Sequence, residues 1–151
     1  MAYDKSKAGI GLGSKISIGS GTSPIGYTLI GEITSIAQAG RQAGTEDVTN
    51  MQSGAREFVT TLIDSGTYDL KGNRVADDAG QIALEAAFAG LTIEPFEIEL
   101  RKTASQHATG DLYTFYALVQ EVNFGTVAVD KKIEFNVKLK VSGLITYAAG
   151  S

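Results

Sequence analysis

The only histidine of the chain, His107, stands in the polar stretch SQHATG with no carboxylate near it in sequence. General acid–base or metal chemistry needs titratable groups that converge on one point, so a histidine without such neighbours reads as a surface-loop residue. Glu97 and Glu99 share one face of PFEIELR, but a glycosidase-type pair needs its carboxylates on either side of a cleft. Asp77 and Asp78 are adjacent, yet they open an apolar run of helical period, where a carboxylate accepts the free N–H groups of the first turn. No cysteine is present, which excludes disulfides, zinc fingers and thiol catalysis. The H-E-x-x-H, G-x-S-x-G and D-x-[DN]-x-[DN]-G patterns do not occur, and GIGLGSK has the wrong spacing for either nucleotide-binding glycine motif. The chain also lacks tryptophan, which sugar sites commonly exploit. The expectation is a protein without an active site, a metal or a cofactor.

With chemistry set aside, the elements carry the reading. A chain of 151 residues suffices for one domain with a real core. Its 18 glycines against two prolines, without a collagen-like period, suit strands joined by many turns. A net charge of −4 with scattered lysines and arginines argues against a protein that grips nucleic acid. The densest basic cluster, DKKIEFNVKLK, reads as one solvated strand face. The start lacks the apolar core of a signal peptide, and no run approaches the roughly 20 apolar residues of a membrane span, so cytoplasmic synthesis without a membrane is expected.

The first 26 residues are rich in Gly, Ser and Ile, and the alternation of Ile16 and Ile18 hints at a weak strand within an N-terminal arm. Tyr27 to Ile36 reads as one strand apolar on both faces. EFVTTLIDSGTYDLKGN reads as two strands turning at Asp64-Ser65-Gly66. DDAGQIALEAAFAG predicts the helix, capped by Asp77 or Asp78, with Leu84, Ala87, Phe88 and Leu91 as its buried stripe and Gly90 closing it. Three alternating strands follow. Phe96, Ile98 and Leu100 face inward on the first, and Phe115, Ala117 and Val119 oppose Tyr116, Leu118, Val122 and Phe124 on the second. The third has Ile133, Phe135, Val137, Leu139 and Val141 inside. The fold class is mainly β (α+β), a sandwich or barrel of about six to eight strands flanked by one helix.

One segment does not fit a compact domain. Residues 38–56, QAGRQAGTEDVTNMQSGAR, have no apolar period, and loops beyond about 12 to 15 residues are usually functional or disordered. Arg41, Glu46, Asp47, Val48, Thr49, Asn50 and Arg56 are its candidate contact residues. The expected organisation is an N-terminal arm (1–26), one domain (27–148) containing this loop, and a short tail (149–151). Strands apolar on both faces leave an exposed patch, and open edges are a liability; continuing the sheet with further copies of the chain resolves both.

The order IGEITSI, then EDVTNMQSGAREFVTTLIDSG, TYDLKGN and DDAGQIALEAAFAG, followed by alternating strands, resembles the major tail tube proteins of long-tailed bacteriophages, nearest the noncontractile, siphophage type. The resemblance spans about residues 26 to 147, and it is order and spacing that carry it. It implies a virion structural protein forming hexameric rings, stacked helically into a hollow tube that conducts DNA into the host. It further implies assembly in the host bacterial cytoplasm beside tape-measure, tail terminator and baseplate or distal tail proteins. Residues 38–56 would reach a neighbouring subunit, unordered in the monomer and ordered on assembly. DNA would pass without specific binding, and a chain ending at Ser151 leaves no room for a decoration domain. The alternatives are the tube of a phage-tail-like bacteriocin, gene transfer agent or type VI secretion machine, and a monomeric binding module.

Overall fold

The computed structural model describes residues 13–20, 25–100 and 110–149, so His107 and most of the glycine- and serine-rich start lie outside it. Among the described residues are nine strands and one helix. They are β1 (Lys15–Ser20), β2 (Gly26–Leu29), β3 (Ile33–Ala39), β4 (Gln42–Asp47), β5 (Phe58–Asp64), β6 (Thr67–Asn73), α1 (Ala79–Gly90), β7 (Ile93–Glu99), β8 (Leu112–Phe124) and β9 (Glu134–Ala148). Seven form one antiparallel sheet in the order β2-β1-β7-β8-β9-β6-β3, while β4 and β5 pair only with each other.

The two edge strands of that sheet are consecutive in sequence. Six strand spacings would put them about 29 Å apart in a flat sheet, yet the three residues 30–32 can bridge only about 14 Å. The sheet therefore curls into a barrel-like body. The stretch expected as one strand, Tyr27 to Ile36, is broken at Glu32, whose φ of 59° is left-handed. Its first part pairs with β1 and its second with β6, so it links the two edges.

Alternation places the core as the pattern predicts. Ile16, Ile18, Leu70, Phe96, Ile98, Phe115, Ala117, Val119, Phe135, Val137, Leu139 and Val141 are buried in a single cluster. At its centre Phe115 stacks on Tyr68 and Phe96, with ring centroids 4.7 and 5.8 Å apart. Leu100 and Ile133, expected inside, lie just beyond strand ends and are partly exposed. Another expectation changes with β1, which sits between β2 and β7 with Ile16 and Ile18 buried. Residues 15–20 thus belong to the body and not to an N-terminal arm.

Asp78, not Asp77, is the helix cap, and its carboxylate accepts from the backbone N–H of Gln81 at 3.0 Å and of Gly31 at 3.1 Å. The buried stripe is Gly80, Gln81, Leu84 and Ala87. This corrects two members of the expected stripe, since Phe88 is 39% and Leu91 75% exposed. A side chain at Gly80 would meet the backbone of Leu29 and Ile30, so glycine lets the first turn press onto the link between β2 and β3. The last turn is held less closely. Leu91, not Gly90, then takes the left-handed closing conformation, which carries its side chain off the stripe.

Candidate assembly surface

Residues 38–56 are not an irregular loop, and EFVTTLIDSG does not fold back as a hairpin on TYDLKGN. β3 pairs with β6 and, beyond a bend, β4 pairs with β5, so residues 33–73 form one long hairpin whose distal half leaves the body as an arm. Six residues at about 3.3 Å each make the paired part of this arm about 20 Å long. The bend is written in glycine. Gly40 and Gly66 both have φ of +78°, and a side chain at Gly66 would collide with the carbonyl of Ala39.

The root is fastened to β9. Ser65 is buried and its hydroxyl donates to the carbonyl of Gly143 at 2.6 Å, while the Val141 N–H donates to the Gly66 carbonyl at 3.1 Å. Asp64 accepts from the Gly66 N–H at 2.8 Å and from Lys140 Nζ at 3.4 Å. The Gly66 bond and then Lys140 hold the Asp64 carboxyl below its ordinary value. Arg41 stands beside the root and lines a cleft of about 480 Å³ with Ile36, Tyr68, Ile98 and Tyr113.

The tip is tied by its own polar side chains. Asp47 accepts from the Thr49 N–H at 2.9 Å and pairs with Arg56 at 3.7 Å, and Thr49 Oγ1 accepts from the Glu57 N–H at 2.8 Å. The hydrogen bonds of Thr49, side chain first, depress the Asp47 carboxyl. Asn50 Oδ1 accepts from the Gln52 N–H at 2.8 Å, and Ser53 Oγ donates to Glu57 at 2.7 Å. The Val48 N–H bonds the Glu57 carbonyl, and Glu46 lies opposite Val59 in the ladder. Of the seven predicted contact residues, six therefore build the distal arm and its turn, and Arg41 marks its root. This local bonding replaces the expectation of a segment ordered only by a neighbour.

Sequence reasoning missed the apolar residues. A bulge opposite Gly44 breaks the alternation of β5, so Phe58 (56% exposed) and Ile63 share the face of Asp47 and Ala43, Val59 lies exposed on the other with Glu46, and Leu62 (89%) stands at the bulge. An isolated two-stranded hairpin is at best marginally stable in water, and exposed apolar clusters mark interaction sites. The signal was in FVTTLI itself, which is apolar at both parities, the pattern of a strand covered on both faces. Among the described residues no group of three or more His, Cys, Asp or Glu could hold a metal ion, and no helix is long and apolar enough to cross a membrane.

No family profile matches the sequence, and no curated protein matches it. Solved structures do match. The SPP1 tail tube aligns with a TM-score of 0.66 at 17% identity, over 91% of this chain and 77% of that one. A chain in the virion of a native gene transfer agent aligns at 0.68 and 13% identity, over 94% and 100%. A chain in the tube-terminating cap of the anti-feeding prophage aligns at 0.69 and 9% identity, over 99% and 95%. The class is thus defined by fold: a curled antiparallel sheet with one helix and a projecting hairpin. It is the fold of tail tubes.

Proposed function

We propose that the chain is a structural tube subunit, which polymerises as hexameric rings stacked into the hollow tail tube of a long-tailed bacteriophage. The observation that carries this reading is an arm, apolar on both faces, projecting from a body of tail-tube fold. One copy leaves that surface in water; repeated copies cover it. The body, residues 15–148, acts as one domain, and its work is mechanical, with no catalysis. Assembly takes place in the bacterial cytoplasm and the product resides in the virion tail, beside tape-measure, terminator and baseplate proteins. DNA is the cargo, and a chain of net charge −4 favours its passage over its retention.

The noncontractile assignment rests on the sequence resemblance. A related injection machine is the second reading, favoured by the alignment with a chain of the anti-feeding prophage. Electron microscopy and size-exclusion chromatography over a concentration series test the proposal. Rings or tubes are expected, whereas a single species near 15.8 kDa at every concentration would make the chain a monomeric module. DNA recovered from intact particles separates the phage reading from a protein-delivering machine.

A further inference from the structure

We propose that the outer face of α1 is the surface on which the arm of a neighbouring copy seats; the inference rests on the tube reading and names the partner surface within it. Ile82, Ala86 and Ala89 recur at i, i+4 and i+7 on the side of α1 away from the core, and all three are exposed. Leu29, Phe88, Leu91 and Ile93 are exposed on or beside the helix. Glu85 is the only charged residue among the twelve of α1. A helix apolar on both sides is the kind that is buried on both sides, and this one is covered on one.

The occupant is a second copy of this chain. Phe58, Leu62 and Ile82 all stay exposed in one copy, so neither surface covers the other intramolecularly. The helix packs on β8, β1 and β2, while the arm leaves from β3 and β6 and bends at Gly40 and Gly66. The dimensions agree. The apolar run from Phe58 to Ile63 is about 17 Å long, and a twelve-residue helix is about 18 Å. Ala86 and Ala89 also give a low, smooth strip that a strand pair approaches closely. The competing patch, Phe124, Val127, Val129 and Ile133 at the turn between β8 and β9, is interrupted by Asp130, Lys131 and Lys132. An arm meeting a different surface on the next copy is a heterologous contact, which closes into rings or propagates as a filament.

The chain has no cysteine, so introduced thiols report without background. Ile63→Cys and Ile82→Cys are made on separate proteins, as are Phe58→Cys and Ala89→Cys, all at exposed positions that lie on one face of the bulged strand and on the outer face of the helix. Each pair is mixed under assembling conditions and oxidised, and non-reducing gels are read beside electron micrographs. Mixed pairs should give disulfide-linked dimers on the order of tenfold above either variant alone, because docking raises the local thiol concentration. A doubly substituted chain should give a ladder. Tubes that form without either cross-link, or in which Ile63→Cys joins Val129→Cys instead, overturn the helix as the seat and leave the tube reading standing. A parent protein that never assembles overturns both.

Discussion

Leu84 and Phe88 lie one turn apart on α1, yet truncation should treat them differently. Leu84 is 1% exposed against the sheet, so Leu84→Ala should cost about 2–5 kcal/mol. Phe88 keeps 39% of its surface in water, and Phe88→Ala should cost about 1–2 kcal/mol. Denaturant melts of the two variants decide the point; equal losses would put Phe88 in the core. Asp64 offers a second test at this scale. The Gly66 N–H and Lys140 favour its charged form, so its carboxyl in the folded chain titrates below the ordinary 3.8. A depressed acid contributes stability above its ordinary value and loses it as the pH falls through the folded value. The hold of the arm root on β9 should therefore weaken only in acid below 3.8. An NMR titration of the Asp64 carboxyl with its midpoint at or above that value would contradict the assignment.

At the scale of elements, the helix is held by a polar node beneath its first turns. Gln81 is buried, and its Oε1 accepts from the Val75 N–H at 2.9 Å and from Arg74 at 3.3 Å. Its Nε2 donates to the carbonyls of Gly31 and Asn73 at 3.1 and 3.0 Å. One side chain thus joins α1, the end of β6 and the link between β2 and β3. Gln81→Leu should cost about 1–3 kcal/mol for each backbone group left buried without a partner, and so more than Phe88→Ala. A melt of Gln81→Leu within about 0.5 kcal/mol of the parent, on the scale of an ordinary surface change, would mean that water replaces the amide. Nothing in the local pattern announced this node, because its partners are 6 to 50 residues distant in sequence. What was legible is whatever has a local period: the alternation in PFEIELR and KKIEFNVKLK, the helix, and a carboxylate cap at Asp77 or Asp78. What was not legible depends on pairing. FVTTLIDSG looks the same whether it pairs with TYDLKGN or with QAGTED, and only the barrel, by holding β6 between β3 and β9, settles the choice.

At the scale of the molecule, the body and the arm divide the labour, and removing the arm should separate them. The seven-stranded sheet buries the aromatic stack of Tyr68, Phe115 and Phe96 without help from β4 or β5. The large apolar side chains of β5 are exposed in one copy, so they contribute little to its core. Replacing residues 42–63 by a short Gly-Ser link, with Gly40, Asp64, Ser65 and Gly66 kept, preserves the bend and the bonds to β9. The chain is closed over a shorter loop, a change worth only about 0.6 kcal/mol per doubling of length. The circular dichroism melt should therefore shift by a few degrees at most, since about 1 kcal/mol moves a domain of this size by about 2–8 °C. Assembly should fail, because a contact repeated by symmetry is lost at every junction at once. The exposed large side chains of β5 are apolar, so in the intact protein raising the salt from 0.15 to 1 M, which shortens the screening length from about 8 to 3 Å, should leave tubes in place. Dissolution by salt would instead make the charges of Glu46, Asp47 and Arg56 the principal contacts. The decisive pair of measurements is the melt and the electron micrograph of the shortened chain. A folded, armless protein that still forms long tubes would move the work of assembly elsewhere on the body.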